Sequence, residues 1–188
     1  MVSNRLFIKD ENLSRRCSIL LAEKRNQYYI LAIMMNEIYN RKILELAANI
    51  PLIGRLENPM GTATRHSKLC GSTVTVDLDM EGGRVSRFAH EIKACALGQA
   101  ASSIMARHVI GATGDELKAL LSQVKSMLKE QGPPPGAPWE DVAVLEPVRV
   151  YKARHASTLL TFEAVVEAVE NIEKTTEKVP GKTQIAVK

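Results

Sequence analysis

The chain has 188 residues, and its hydrophobic fraction of 45% and charged fraction of 24% are ordinary for a soluble globular domain. Its three cysteines are too few for a disulfide framework, and no run approaches the roughly 20 apolar residues that a membrane span needs. The net charge of +4 is concentrated in residues 1–34, which hold six Lys or Arg and three Asp or Glu. An aromatic fraction of 4% leaves few side chains for stacking on bases, so we expect no nucleic-acid partner. Because no run could span a membrane, we expect a cytoplasmic protein with no membrane partner.

Residues 1–34 show neither a clean hydrophobic period nor turn signals, and we interpret them as an extension outside the domain. A start codon upstream of the native one would explain them, and a targeting peptide is the rival reading, although Asp10 and Glu11 are unusual in a transit peptide. Cys17 lies in this extension and is interpreted as incidental. We predict the domain itself over residues 35–172 and a disordered polar tail over 173–188.

Hydrophobic periodicity and turn residues predict helices on both sides of a pair of strands. The helix at 36–49 begins at Asn36 as its N-cap, and the alternation around residue 77 leaves Asp77 and Asp79 on a wet strand face. The predicted elements in chain order are helix 36–49, loop 51–65, strand 69–80, hairpin turn 81–84, strand 85–94, helix 95–110, helix 115–129, linker 132–136, a link or helical turn at 139–148, and helix 151–170.

A further short strand between residues 65 and 69 is left open. An N-terminal helix, then a hairpin or meander, then C-terminal helices indicate an α+β fold, in which helices cover a small antiparallel sheet.

Cys70 and Cys95 lie where a turn meets a regular element, and one hairpin separates them. Cys95 opens a helix, whose N-terminal partial charge favours a thiolate, and Cys70 precedes Gly71, which allows a tight bend. An antiparallel hairpin brings its two ends together, so the two thiols are candidates for metal or sulfur chemistry. The alternative is that both are simply small buried residues.

His155 stands near the start of the last helix and would join the thiols only if that helix start faces them. A lone histidine is more commonly a surface or capping residue. The other histidines (His66, His90 and His108) are assigned no role.

Several motifs occur together in one order: Glu57-Asn58-Pro59, then Cys70-Gly71, then Cys95 with Ala100, Ser102 and Ser103 after it, then a basic turn into the last helix. This order and spacing resemble the U-type iron–sulfur cluster assembly scaffolds, the NifU/IscU/SufU group, over residues 37–170. The resemblance implies an α+β fold with a small antiparallel sheet. It also implies a site where three cysteines and an aspartate hold zinc or a nascent cluster, and a cysteine desulfurase as sulfur donor.

The chain departs from this pattern at two ligand positions. Cys70 and Cys95 match the first two cysteines, but Ser72 stands where the family has its aspartate, and Ala156 stands where the third cysteine is expected. Either His155 is a retained histidine beside a lost thiol, or it replaces that thiol, since histidine can ligate iron–sulfur clusters. Two cysteines and one histidine leave one coordination position open.

The leading hypothesis is a non-enzymatic scaffold or carrier that binds iron or a [2Fe–2S] cluster through Cys70, Cys95 and His155. Its partners would be a cysteine desulfurase and apo iron–sulfur client proteins, and it would act as a monomer or weak dimer. A zinc-dependent sulfur acceptor for the desulfurase is the second hypothesis. A degenerate scaffold fold that serves as a partner-binding module is the third.

Overall fold

The computed structural model of the chain describes residues 41–177. The elements in chain order are α1 Arg41–Ala48, β1 Gly61–His66, β2 Thr73–Glu81, β3 Arg84–Lys93, α2 Ala96–His108, α3 Gly114–Lys129, a 3₁₀ helix Glu140–Val150, and α4 Lys152–Glu177. No helix within residues 41–177 is both long and apolar enough to cross a lipid bilayer.

The three strands form one antiparallel sheet in the order β1-β2-β3. The predicted hairpin turn is confirmed: Gly82 and Gly83 have φ of +57° and +78°, the positive values that a tight two-residue hairpin turn requires at both central positions. At the other end of this hairpin Thr73 pairs with both His66 and Lys93. The segments that enter β2 and leave β3 therefore lie side by side.

The core lies between one face of the sheet and the C-terminal helices. Val74, Val76 and Leu78 of β2 are fully buried, as their alternation predicts. Helix α4 contacts β1 and β2 on one side and α2 and α3 on the other. Its fully buried Phe162 and Val165 show why this helix has little amphipathic character. The predicted α+β fold with a helix-covered antiparallel sheet is confirmed.

Local signals in the sequence explain where the next helices begin. Cys95 is the N-cap of α2, as its position after a strand predicts. Thr113 caps α3 through a capping box, in which its hydroxyl accepts from the Glu116 N–H while the Glu116 carboxylate accepts from the Thr113 N–H. Gly114, one residue before the predicted start of helix 115–129, is the first residue of α3.

Strand β1 corrects the prediction of a loop through residue 65. Its sequence, Gly-Thr-Ala-Thr-Arg-His, lacks the large apolar residues that mark a strand. Small residues are required because helix α4 crosses at close range: a Cβ added to Gly61 would lie 2.5 Å from the Ala168 carbonyl oxygen. The tertiary contact, and not local propensity, decides this strand.

Helix α4 also runs further than predicted, because residues 173–177 are helical. The Lys118 ammonium contacts both carboxylate oxygens of Glu173, at 2.9 and 2.8 Å, and so ties this last turn to α3. The predictions for the extension at 1–34, for the Asn36 cap and for residues 178–188 lie outside the described residues. The domain limits of 35 and 172 stay predictions.

The prediction that Asp77 and Asp79 lie on a wet face is wrong, since they are 0% and 6% exposed. Asp77 accepts hydrogen bonds from the Arg55 guanidinium at 2.6 and 3.0 Å, and Asp79 accepts from the Met60 N–H at 2.7 Å. We call these two aspartates and their partners the carboxylate cluster. The partners are Arg55, Leu56, Met60, Thr62 and Arg87.

The carboxylate cluster fixes the segment that joins α1 to β1. Asp77 accepts from the Leu56 N–H at 3.1 Å, and Asp79 holds Met60, so the Glu57-Asn58-Pro59 motif lies between two anchored points. Burial alone would raise the pKa of Asp77, but hydrogen bonds from Arg55, Thr62 and the Leu56 N–H outweigh it and lower that pKa. Asp77 is therefore a structural carboxylate, held ionised by its partners.

Candidate functional site

Cys70 and Cys95 lie at the open end of the β2–β3 hairpin. Cys70 belongs to a tight turn before β2, closed by hydrogen bonds from the Gly71 N–H to the Ser67 carbonyl at 2.9 Å and from the Ser67 N–H to the Ser72 carbonyl at 2.8 Å. Cys70 is exposed and Cys95 is half-buried, and both are free thiols. The hairpin thus places one accessible thiol near a second, more sheltered one.

The hydroxyl of Ser157, in the first turn of α4, is the neighbour that the two thiols share. The Cys95 thiol donates to Ser157 Oγ at 3.6 Å, and Ser157 is also among the groups that lower the pKa of Cys70. Ser157 Oγ itself donates to the Arg154 carbonyl at 3.0 Å, which fixes its position. We call Cys70, Cys95 and the hydroxyls of Ser67, Ser72 and Ser157 the thiol cluster.

The thiol cluster favours the ionised form of Cys70. Partial burial would raise the pKa of this thiol, but the polar side chains of Ser67, Ser72 and Ser157 and the Ser72 N–H outweigh that effect. The pKa falls from an ordinary value of 9.0 to about 7, so a substantial fraction is thiolate at neutral pH. The Ser72 hydroxyl lies 3.0 Å from Cys70 Sγ. A thiolate is the form that attacks sulfur and binds metal.

His155 lies two residues before Ser157 and is 7% exposed. Its Nε2 lies 3.0 Å from the Arg149 carbonyl oxygen. Because a carbonyl oxygen only accepts, Nε2 carries the hydrogen and the neutral ring has its lone pair on Nδ1. A backbone carbonyl that orients the non-ligating nitrogen is a common arrangement in metal-binding histidines.

The structure does not assemble the full predicted ligand set. Within residues 41–177, no three side chains of His, Cys, Asp or Glu lie close enough together to hold a metal ion. The two thiols meet at Ser157, and His155 is not grouped with both of them. The set of Cys70, Cys95 and His155 therefore stays a prediction.

Sequence reasoning missed two members of the thiol cluster. Ser157 and Ser67 carry no motif, and serine is too common for its type to signal a site. Ser72 was noted only as a missing carboxylate, whereas its hydroxyl contacts the first thiol. The position of Ser157, one residue past the expected third cysteine, is the single sequence signal that could have found it.

The remaining histidines serve other contacts. His66 Nδ1 lies 3.1 Å from Thr73 Oγ1, and His90 is fully buried with Nε2 3.0 Å from the Pro51 carbonyl oxygen. His108 packs edge-on against Trp139, with ring centroids 5.5 Å apart, and lies 3.5 Å from an Asp141 oxygen. None of these contacts brings a histidine nitrogen to a thiol.

The protein is an α+β domain with a three-stranded antiparallel meander and two cysteine thiols at the open end of its second hairpin. Comparisons with known proteins identify the class to which such a domain belongs. Residues 38–158 match the model of the NifU-like N terminal domain family. The chain belongs to this family, which is part of the NifU/IscU/SufU group of iron–sulfur cluster assembly scaffolds. Proteins of this group are generally non-catalytic.

Particular relatives agree with this assignment. A crystal structure of a NifU-like protein (N-terminal) from Brucella abortus is 60% identical, with a TM-score of 0.74, and covers 75% of this chain and 98% of its own. The iron–sulfur cluster assembly scaffold protein IscU of Thermotoga maritima is 24% identical over 137 residues, which are 73% of this chain and 96% of that protein.

A third relative shares the fold. It is described as an iron–sulfur cluster assembly scaffold for the SUF system of Fervidobacterium islandicum. It is 21% identical with a TM-score of 0.66, over 71% of this chain and 98% of its own.

Proposed function

We propose that this protein is a scaffold or carrier that receives iron or a [2Fe–2S] cluster as its cargo. The observation that carries the proposal is the convergence of the Cys70 and Cys95 thiols on the Ser157 hydroxyl at one end of the hairpin. Thiolates are the preferred ligands of iron–sulfur clusters, and an accessible pair can accept a cluster and release it again. Membership of the scaffold family supports the same reading.

Each proposed ligand has a distinct role in this function. Cys70 lies in an exposed turn, so its thiolate is the first to meet incoming iron or sulfur. Cys95 is half-buried at the start of α2, where the helix dipole favours negative charge. His155 offers Nδ1 while Nε2 stays hydrogen-bonded to the Arg149 carbonyl.

A cysteine desulfurase is the proposed sulfur source, and apo iron–sulfur proteins are the proposed recipients. These are the partners that a scaffold requires, because it neither liberates sulfur from cysteine nor uses the finished cluster. The protein would act as a monomer or weak dimer.

Anaerobic reconstitution with iron and sulfide tests the scaffold function. We expect the wild-type protein to take up iron and acid-labile sulfide with thiolate-to-iron absorption, and Cys70→Ser and Cys95→Ser each to lose most of it. His155→Ala tests the third ligand, and His66→Ala is its matched control, since His66 lies at the end of β1 and contacts Thr73. Uptake by wild type no greater than by the double cysteine variant would overturn the proposal.

The exposure of Cys70 also favours a second candidate, a zinc-dependent sulfur acceptor. The Cys70 thiolate would attack the outer sulfur of a desulfurase persulfide. A new sulfur–sulfur bond forms at Cys70, the bond within the desulfurase persulfide breaks, and the desulfurase cysteine leaves as a thiolate. Zinc would hold the acceptor through the same ligands.

Desulfurase turnover with and without this protein separates the two candidates. Zinc in the purified protein, together with faster turnover and a persulfide on Cys70 in the mass spectrum, would favour the acceptor. Unchanged turnover would exclude it. Absence of both metal uptake and faster turnover would leave a partner-binding module as the better account.

A further inference from the structure

The turn that carries Cys70 and the end of strand β3 that leads to Cys95 run side by side. Thr73 pairs with Lys93, so Cys70 lies three residues before this pair and Cys95 lies two residues after it. The backbone of Cys95 is still extended, with φ of −67° and ψ of 168°. If the same register is continued, Cys95 stands opposite Gly71, the neighbour of Cys70. The two cysteines are therefore one register step from facing each other.

This offset is compatible with a bond between the two sulfur atoms. A separation of about 5 Å across an antiparallel pair and a step of about 3.3 Å along it place the two Cα atoms about 6 Å apart. Disulfides span Cα separations of about 4.4–6.8 Å. The shared neighbour Ser157 agrees with this placement, because its Oγ lies 3.6 Å from Cys95 Sγ and its hydroxyl also acts on the Cys70 thiol.

The two thiols differ in exposure, and the difference assigns them an order of reaction. Cys70 is exposed, so an oxidant in solution reaches its sulfur directly. Cys95 is half-buried and packs against the hydrophobic core, which shelters it from the same oxidant. An accessible thiol that is oxidised first, next to a sheltered thiol that resolves it, is the usual arrangement of a redox-sensing pair.

The turn that holds Cys70 has room to bring its sulfur to Cys95. Hydrogen bonds between Ser67 and Ser72 and between Gly71 and Ser67 close the base of the turn, while residues 68–71 at its tip are exposed. Gly71 has φ of +69°, and a Cβ added there would meet no atom within 4 Å. The tip can therefore adjust without displacing a packed neighbour.

We propose that Cys70 and Cys95 form a redox pair, which peroxide closes into an intramolecular disulfide, and that this disulfide withholds both thiols from the cargo. The pairing rests on the geometry of the two segments alone. Its regulatory consequence rests on the proposed function, since a thiol within a disulfide no longer binds iron or accepts sulfur.

The oxidation takes place in two steps. The Cys70 sulfur attacks one oxygen of hydrogen peroxide, the oxygen–oxygen bond breaks, and a sulfenic acid and one water are formed. The Cys95 sulfur then attacks the Cys70 sulfur, the sulfur–oxygen bond breaks, and the hydroxide leaves with the Cys95 proton as a second water. In total, two thiols lose two electrons to one peroxide. A dithiol reductant reverses the reaction by thiol–disulfide exchange.

Peroxide treatment of the reduced, chelator-washed full chain tests the pairing. We expect the monomer to lose two hydrogen atoms in its intact mass, and peptide mapping to find the Cys70 and Cys95 peptides linked. The third cysteine of the sequence, Cys17, serves as an internal control and should remain outside the linkage. A disulfide that joins two molecules, or one that includes Cys17, as the main product would overturn the proposal.

Single cysteine variants test the order of reaction. Without a resolving thiol, Cys95→Ser should accumulate sulfinic acid on Cys70, which the wild-type protein should not do. In Cys70→Ser, the sheltered Cys95 should react with peroxide more slowly than Cys70 does in Cys95→Ser. Equal sulfinic acid on Cys70 in the wild type and in Cys95→Ser would contradict a resolving role for Cys95.

Iron and sulfide uptake by the oxidised protein tests the consequence. We expect oxidised wild type to take up no more than the double cysteine variant, and reduction with dithiothreitol to restore the uptake. The two proposals fail in different ways. If the reduced protein takes up no iron although the disulfide forms, only the scaffold function is excluded. If the reduced protein takes up iron but peroxide forms no Cys70–Cys95 disulfide, only the redox pair is excluded.

Discussion

The thiol cluster and the carboxylate cluster lie close together in the sequence, and both include residues at or on strand β2, yet they differ in how fully their polar atoms are bonded. Asp77 is fully buried and accepts four hydrogen bonds from Arg55, Leu56 and Thr62. Cys70 is exposed at a turn and is surrounded by hydroxyl groups that lower its pKa. The carboxylates hold the fold together, and the thiols remain open to a ligand.

This difference teaches that residue type alone does not mark a functional site. Carboxylates on a strand are more conspicuous candidates for metal binding than serines are. Here all four carboxylate oxygens of Asp77 and Asp79 already accept hydrogen bonds, from Arg55, Arg87, Thr62 and loop N–H groups. The serines, by contrast, favour a reactive thiolate.

Asp77→Ala tests whether the carboxylate cluster stabilises the fold, and it has the largest expected effect on the free energy of unfolding. Removal of the carboxylate leaves the Leu56 N–H and Arg55 without their partner, and we expect a loss of about 2–4 kcal/mol in the free energy of unfolding. Urea unfolding measures this loss. Metal uptake per folded molecule should stay at the wild-type level.

Cys70→Ser is the matched comparison for Asp77→Ala, because it should reverse the pattern. It should remove most of the metal uptake and change the free energy of unfolding by less than about 1 kcal/mol, since Cys70 is exposed. If Asp77→Ala also abolished metal uptake in fully folded protein, the division between the two clusters would fail.

Gly98→Ala tests how tightly the thiol cluster depends on helix packing. A Cβ on Gly98 would lie 2.8 Å from the Ala94 Cβ and 3.1 Å from the Ser157 carbonyl oxygen. We expect a destabilisation of about 1–3 kcal/mol from overpacking, together with weaker metal binding as α2 and α4 move apart. Urea unfolding and a cobalt titration measure the two effects.

Gly136→Ala is the control for this prediction, because an added Cβ there meets no atom within 4 Å. Normal cobalt affinity in a destabilised Gly98→Ala protein would show that the thiols do not depend on this contact.

The buried side chain of His90 makes the stability of the fold depend on pH. Burial lowers the pKa of His90 below its ordinary 6.5, although its hydrogen bond to the Pro51 carbonyl opposes this. The unfolded chain therefore binds a proton that the folded chain does not, and stability falls as the pH drops below about 6.5 towards the lower folded pKa. The slope should reach at most about 1.4 kcal/mol per pH unit.

Urea unfolding at several pH values checks this dependence, with His90→Gln as the variant that cannot titrate. His90→Gln should lower stability but flatten the slope between about pH 6.5 and the lower folded pKa. The loss of stability that arises when Asp77 is protonated should remain, at pH values below its ordinary 3.8. An unchanged slope in His90→Gln would show that another group titrates.

Ser72→Ala tests the smallest effect, the contribution of one hydroxyl to the Cys70 thiolate. The pKa of Cys70 should rise from about 7 towards its ordinary 9.0, because the variant loses the hydroxyl at 3.0 Å from the sulfur. The pH dependence of alkylation of Cys70 in a Cys95→Ser background measures this change. Ser86→Ala, near the start of β3 and next to the hairpin turn, is the control and should leave the pKa unchanged.

Most of the fold was predictable because its signals are local. The Gly82-Gly83 turn, the Thr113 capping box and the alternation of Val74, Val76 and Leu78 each follow from neighbouring residues. Strand β1 was not predictable, since small residues at Gly61 and Ala63 reflect the passage of α4 over the sheet. The length of α4 likewise depends on the contact between Lys118 and Glu173.

By itself, the sequence determined the helix starts, the hairpin and the placement of Cys70 and Cys95 at its two ends, because these depend on turn chemistry and on a period of two. Only the tertiary structure decided which polar side chains form the hydrogen bonds that hold the fold together and which remain available to a ligand. Asp77 is bonded to Arg55, which is 22 positions away, and Cys95 meets Ser157, which is 62 positions away. Contacts over such separations arise from the packing of whole helices on the sheet, so no local pattern reports them.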